Sequence, residues 1–425
     1  MKVQPRRKGG KTALVLAGGG LTGAVYEIGA LRAIDDLLVD RSVNDFDIYV
    51  GTSAGALVGA CLANGFGPEE LMQVFDATHP EVEALERRHL FSINTGELLR
   101  RVVDLPYTLL GAWSHYLRHT NDMTMFDFLW SLLEALPTAI YDGKGLESYM
   151  RRALTASGRS NSFKRLDKEL AIIATDLDTG QRVVFANNEN NDVPISLAVA
   201  ASSAMPLVYK PVRIDDKEYV DGALGGTASL DLAVERGAEL IICINPLVPF
   251  DNSKRDSIPF LGVDGGYLSE KGMQAIATQV MRIMMQSGLR YHIKQLRRAY
   301  PDVDVILIEP RPDDHQMSFY NVMRYSARRI IAEHGFETVA LGLAEDHNYF
   351  NSVLKRHNIP ISRKMALVEL TEIQQARYDP EVIKRVLERR SYKKELNGTG
   401  TPSTLKQLNN SLAELDLALD AMAAK

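Results

Sequence analysis

Twice before Ala63 a short apolar run stops at a glycine-bearing turn and gives way to a helical pattern. Thr12–Ala17 breaks at Gly18-Gly19-Gly20, and from Gly23 apolar residues recur through Tyr26, Ile28, Leu31, Ile34 and Leu37. Phe46–Val50 runs directly into Gly51-Thr52-Ser53-Ala54-Gly55, and a helix follows from about Ala54 to Ala63. Strand, tight turn and helix, repeated in that order, make a β-α-β-α unit. Such units build a parallel sheet with helices across its faces.

Further strands are predicted at Glu169–Ala174 and Arg182–Ala186, joined by the polar turn Thr175–Gly180 as a hairpin on the sheet edge, then at Val212–Ile214, Glu218–Val220, Leu240–Ile244 and Val303–Glu309. A long helix is predicted at Met273–Ala299. Residues from Pro68 to about Ala153 read as mainly helical, an insertion or cap, with apolar stretches at Tyr107–Leu110 and Met123–Trp130. The pattern assigns 12–312 to a catalytic domain with its core motifs in 12–245 and its cap at about 68–153. It assigns 313–397 to a charged helical extension and 398–425 to a linker and a short heptad-like helix. In that last helix Leu405, Leu408, Leu412, Leu415, Leu419 and Met422 alternate three- and four-residue spacings, which suits docking on its own domain or self-association.

With 49 basic and 54 acidic residues the net charge is −5, which argues against nucleic acid as a partner. No uncharged run approaches the roughly 18 to 20 apolar residues of a membrane-spanning helix, and the apolar run behind the basic Arg6, Arg7, Lys8 and Lys11 is too short for a signal-peptide core. The expectation is a cytoplasmic chain that touches membranes only peripherally, at the inner face. Cys61 and Cys243 each sit in an apolar run, as buried thiols in a reducing compartment do. No metal-ligand spacing occurs, and neither metal nor cofactor is expected.

In a Gly-x-Ser-x-Gly turn between strand and helix, the serine sits on a bend so tight that its backbone is strained, and Gly51 and Gly55 supply the small neighbours that the bend needs. The pentapeptide alone does not separate an elbow from a plain loop; the flanking strand and helix favour the elbow. Gly18-Gly19-Gly20-Leu21-Thr22-Gly23 has the spacing of a dinucleotide loop, which requires an acidic residue at the end of the second strand. Asp45 and Asp47 instead stand at its beginning. The same backbone amides, from Gly18, Gly19, Gly20 and Gly23 with Ala54, suit the oxyanion of an acyl intermediate. None of the nine histidines (His79, His89, His115, His119, His292, His315, His334, His347, His357) follows a core strand in a glycine-bounded turn. Asp221 does lie at a strand end, with Gly222 and Ala223 leaving room for close approach, and a buried carboxylate there can take a serine proton directly.

Together the Gly18–Gly23 loop, the Gly51–Gly55 elbow, the block Ala201–Pro206 with Pro211-Val212, and the Asp221-Gly222-Ala223 turn resemble, in order, the motifs of the patatin-like phospholipases. The resemblance covers about residues 12–245. It implies a three-layer α/β/α fold with a central, mostly parallel sheet, Ser53 as nucleophile, Asp221 as proton acceptor and the first glycine loop as oxyanion hole. It also implies hydrolysis of fatty-acyl esters of phospholipids or lysophospholipids. Two departures stand out. Thr22 occupies a position where the family often has Arg or Lys, and Asp264-Gly265-Gly266 is a second candidate for the family's Asp-Gly-Gly turn. Asp221 is preferred because it follows the Ser-Ser-Ala-Met-Pro block closely, whereas Asp264 lies in a long loop. Transacylation by the same pair, and a catalytically idle lipid-binding module whose C-terminal helices hold a partner, remain open. Phe126–Trp130 fits either an interfacial patch or helical core. The basic Lys384, Arg385, Arg389, Arg390, Lys393 and Lys394 are interleaved with Glu381, Glu388 and Glu395, as on a solvated helix face.

Overall fold

Strand β1 (Lys11–Leu16) sends alternate side chains to opposite faces: Leu14 and Leu16 enter one hydrophobic core, Ala13 and Val15 another. Burial on both faces is the condition of an interior parallel strand. The computed structural model describes residues 10–96, 138–156, 158–253, 266–314 and 325–389, with the single positions 99, 107, 110, 111, 114 and 317. The expectations for Arg6, Arg7, Lys8, Phe126–Trp130, Asp264, Arg390, Lys393, Lys394 and Leu405–Met422 fall outside these residues.

β1 pairs in parallel with β2 (Ile48–Thr52) on one side. Two short strands follow β2 in the chain before the sheet is complete: β3 (Ala139–Tyr141), and, after β4 (Glu169–Asp176) and β5 (Arg182–Ala186), β6 (Leu207–Tyr209). β3 and β6 form a separate two-stranded sheet, and β3 lies inside the region expected to be helical; three-residue strands carry too little pattern to be seen in sequence. Then come β7 (Val212–Ile214), β8 (Lys217–Asp221), β9 (Ala238–Ile244) and β10 (Asp304–Ile308). The main sheet runs β10-β9-β1-β2-β4-β8-β7, with β5 also paired to β4. Contacts among β10, β9, β1, β2 and β4 are parallel; β5, β8 and β7 join antiparallel. This is a mostly parallel sheet flanked by helices.

The hairpin of β4 and β5 forms, but β4 is interior rather than an edge. Residues Ala171 to Ile173 pair with β5 on one flank and with β2 on the other. At Ala174 and Thr175 β5 still holds its flank, so Asp221 and Val220 of β8 must occupy the flank that β2 held. β2 stops at Thr52 opposite Ile173, and the next position on that flank, opposite Ala174, belongs to Asp221. The residue after Thr52 is Ser53. Strand register thus brings Ser53 and Asp221 end to end.

Helices α1 (Gly20–Leu37) and α2 (Ala54–Ala63) cover one face of the sheet, and helix Met273–Ala299 lays Leu289, Ile293 and Leu296 on the other. α1 starts at Gly20, before the apolar periodicity becomes visible. The helices after residue 312, expected as an extension, share the first core: helix Arg328–Glu345 contributes Ile331, Phe336, Val339 and Leu343. It crosses α1 so closely that a Cβ on Gly29 would lie 2.1 Å from the Ala332 carbonyl oxygen, and one on Gly335 2.7 Å from that of Tyr26. The fully buried Arg32 of α1 pairs with Asp36 and, at 2.8 Å, with Glu369 of helix Lys364–Gln375, which Arg389 also reaches at 3.0 Å. Removing one partner of such a buried cluster leaves an uncompensated charge, so the cluster ties these helices to α1. Both cysteines are free and buried, as expected. No helix among the described residues is long and apolar enough to cross a membrane.

The helix crossing yields a test. Gly29→Ala should lower unfolding free energy by about 3 kcal/mol through overpacking. Gly342→Ala, on the same helix pair but with open space around its Cβ, should be neutral or gain up to about 1 kcal/mol from helix propensity. Urea titration of the two variants measures both.

Candidate active site

Ser53 joins β2 to α2 with φ 55° and ψ −118°. A non-glycine residue at positive φ is strained and persists only where its surroundings hold it. The holding groups come from the Ser-Ser-Ala-Met-Pro block. The Ser53 amide donates to Ser202 Oγ at 2.8 Å, Ser202 Oγ donates to the Ile173 carbonyl at 2.5 Å, and Ser203 Oγ donates to the Ser53 carbonyl at 3.3 Å. The bend also needs bare backbone beneath it, since a Cβ on Gly55 would lie 2.3 Å from the Leu16 carbonyl oxygen.

Ser53 Oγ donates to Asp221 Oδ2 at 2.5 Å, and Asp221 Oδ1 accepts from the Ala223 amide at 2.9 Å. Asp221 is 3% exposed. Burial pushes its carboxyl up to about 6, against the downward pull of the Ser53 and Ala223 hydrogen bonds. The turn behind it requires a residue without a side chain: a Cβ on Gly222 would come within 2.2 Å of the Ile173 carbonyl oxygen.

The glycine loop divides its labour more narrowly than expected. The Gly18 amide donates to the Thr227 carbonyl at 3.4 Å and the Gly23 amide to the Gly19 carbonyl at 2.9 Å. A Cβ on Gly18 would sit 2.9 Å from Ala223 Cβ and 3.3 Å from Ser53 Cβ. Among the described hydrogen bonds the amides of Gly19 and Gly20 reach no protein acceptor, and they open the 18-residue helix α1, whose positive dipole end favours an anion. The Ala54 amide begins α2 in the same way.

Two cavities meet at Ser53. A large one of about 840 Å³ is bounded by the glycine loop, Ser53, Asp221, Met205, Leu224 and one side of helix Met273–Ala299; a small one of about 50 Å³ lies among Leu57, Phe75, Leu146 and Tyr209. His292 lines the large cavity, a placement that its position in a long helix did not disclose, and its Nε2 lies 3.7 Å from Asp231. The hydrogen-bond acceptor of Ser53 is Asp221. His334 and His357 are held by Asp314 and Asp304, while His115, His119 and His315 lie outside the described residues. Sequence reading missed the clamp by Ser202; its only signal was two consecutive serines ending an apolar helix before Pro206.

The arrangement places a serine hydroxyl, a buried carboxylate and the amides of Gly19, Gly20 and Ala54 along the apolar cavities that meet at Ser53. Ser202→Ala leaves both the Ser53 amide and the Ile173 carbonyl unpaired. It should cost about 2 kcal/mol of unfolding free energy, measurable by urea titration.

The model of the family described as patatin-like phospholipase matches residues 14–234. The chain is 22% identical over 226 residues to the probable lipid hydrolase 463L of Invertebrate iridescent virus 6, covering 52% of this chain and 63% of that one. It is 26% identical over 207 residues to the uncharacterized protein YqhO of Bacillus subtilis, covering 47% and 57%. These matches span about six-tenths of the relatives' length. Among solved structures, VipD from Legionella pneumophila overlaps at a TM-score of 0.31 with 14% identity, covering 80% of this chain and 67% of that one.

Proposed function

The chain belongs to the patatin-like phospholipase family, and from that premise we propose that it hydrolyses fatty-acyl esters of phospholipids or lysophospholipids through Ser53 and Asp221. The observation that carries this reading is the 2.5 Å hydrogen bond from Ser53 Oγ to a buried carboxylate at the floor of an apolar cavity of about 840 Å³. A serine served by aspartate alone needs direct contact, because no imidazole bridges the gap.

Ionised Asp221 takes the hydroxyl proton as Ser53 Oγ attacks the ester carbonyl. The amides of Gly19, Gly20 and Ala54 donate to the oxyanion, and the positive ends of α1 and α2 stabilise it. The intermediate collapses, Asp221 returns the proton to the leaving alkoxide, and an acyl-serine remains. Water then gives its proton to Asp221 as its oxygen attacks the acyl carbon. Collapse frees the fatty acid and restores the hydroxyl of Ser53. Residues 12–312 form the catalytic unit in this reading, and the helices beyond them brace α1.

Burial makes Asp221 a stronger base than a solvated carboxylate, and it sets the pH dependence. kcat/KM for a nitrophenyl ester should fall about tenfold per pH unit below about 6. The stability linkage has the opposite sign. A carboxyl whose folded-state pKa is raised favours the folded state below its unfolded value, near 4, and this contribution is lost as pH rises through about 6. Asp221→Asn should therefore reduce turnover by three or more orders of magnitude while melting no lower than the parent at pH 8. Ser53→Ala should abolish both turnover and labelling by a fluorophosphonate. Full labelling of Ser53→Ala, or substantial turnover by a folded Asp221→Asn, would overturn the assignment.

A further inference from the structure

The glycine loop has little stiffness of its own. Glycine adopts left- and right-handed backbone conformations almost equally, and Gly20 stands at φ 60°. Donors to an oxyanion are effective only when they are aimed before the charge develops. A group outside Gly18-Gly19-Gly20 must therefore fix the direction of the Gly19 and Gly20 amides.

The neighbouring strand supplies that group. β9 pairs in parallel with β1, placing Ile244 opposite Leu16, and the Ala17 amide donates to the Ile244 carbonyl at 3.0 Å. The segment leaving β9 thus starts beside the loop leaving β1. Its second residue, the buried Pro246, lays its ring against the glycines. A Cβ on Gly19 would lie 2.5 Å from Pro246 Cγ, and a Cβ on Gly23 would lie 3.0 Å from the same atom. The ring fills the space that side chains at both positions would take, so it bears on the turn from the loop into α1. Proline has a fixed φ and cannot itself swing aside.

Pro246 is held in turn by the residues around it. The amide of the fully buried Asn245 donates to the Ile308 carbonyl at 2.9 Å. Asn245 Oδ1 accepts from the Leu247 amide at 3.2 Å, and its Nδ2 donates to Glu309 Oε1 at 2.8 Å; Arg290 holds the other oxygen of Glu309 at 2.8 Å. Beyond Pro246, helix Met273–Ala299 grips the segment twice more. Arg282 donates to the Val248 carbonyl at 3.1 Å, and Gln279 brackets Phe250, accepting from its amide at 3.0 Å and donating to its carbonyl at 2.8 Å.

Resting on the hydrolase reading above, we propose that Pro246 is a positioning residue: seated by Asn245, its ring aims the Gly19 and Gly20 amides at the oxyanion.

The test compares nitrophenyl butyrate with its thiono analogue, in which sulfur replaces the carbonyl oxygen. Sulfur is larger and a weaker hydrogen-bond acceptor, so the ester-to-thionoester ratio of kcat/KM reads the fit of the oxyanion donors. Loss of folded protein lowers both rates alike and leaves the ratio unchanged. Deleting an oxyanion donor outright costs about 10²–10³ in kcat. Pro246→Ala, which only misaims the donors, should lower kcat for the ester about tenfold or more with KM unchanged, reduce the ratio by a similar factor, and keep the parent's pH profile. Gly23→Ala presses on the same ring from α1, where alanine favours the helix, and should lower the ratio in the same direction. Thermal melting confirms folding, and Gly23→Ala decides if Pro246→Ala does not fold. Folded variants that keep the parent's ratio would overturn the positioning role and leave the Ser53–Asp221 reading standing. A parent that cleaves neither ester would overturn that reading instead.

Discussion

The flank of β4 changes partner between Ile173 and Ala174, and the site depends on that change. β2 fills the flank up to Thr52, and β8 fills it from Asp221 onward. An antiparallel strand meeting a parallel one tail to tail leaves two C-terminal strand ends in a single gap. One end is the strained elbow at Ser53, and the other is the turn at Asp221. Backbone hydrogen bonding fixes strand register far more rigidly than side-chain packing fixes a rotamer, so the 2.5 Å contact is inherited from the sheet.

Strain and burial are both tolerated here because neighbouring groups compensate for them. The elbow's positive φ is held by the Ser53 amide donating to Ser202 Oγ, which in turn donates to the Ile173 carbonyl, and by Ser203 Oγ donating to the Ser53 carbonyl. Asp221 loses hydration but retains donors from Ser53 and Ala223. Burial is the larger of these opposed influences and leaves the carboxyl more basic than in water. The same desolvation that weakens folding at neutral pH suits the group to the proposed role of base, a common exchange between stability and activity.

α1 unites the two halves of the chain. Its first amides face the cavity, its middle meets helix Arg328–Glu345 at Gly29, and its buried Arg32 holds Glu369. Helices that seemed an appendage therefore support the element on which the glycine loop is mounted. Displacing them would expose the apolar face of α1 and release Arg32 into an uncompensated setting.

What the sequence by itself determined was local: the β-α-β-α opening, the elbow at Ser53, the Asp-Gly turn at Asp221, and the absence of a histidine in a suitable turn. Each rests on short-range sterics or on periodicity within one element, and these are written in neighbouring residues. The ordered motifs also carried the family. Tertiary structure alone decided the interior position of β4, the clamp by Ser202, the bonding of the Gly18 amide to Thr227, the presence of His292 in the cavity wall, and the fusion of the later helices with the first core. All five depend on which strand flank or helix face meets which partner across scores of residues. That pairing is set by long-range register and close approach, such as the bare backbone of Gly29 against Ala332, and no local pattern in the chain encodes it.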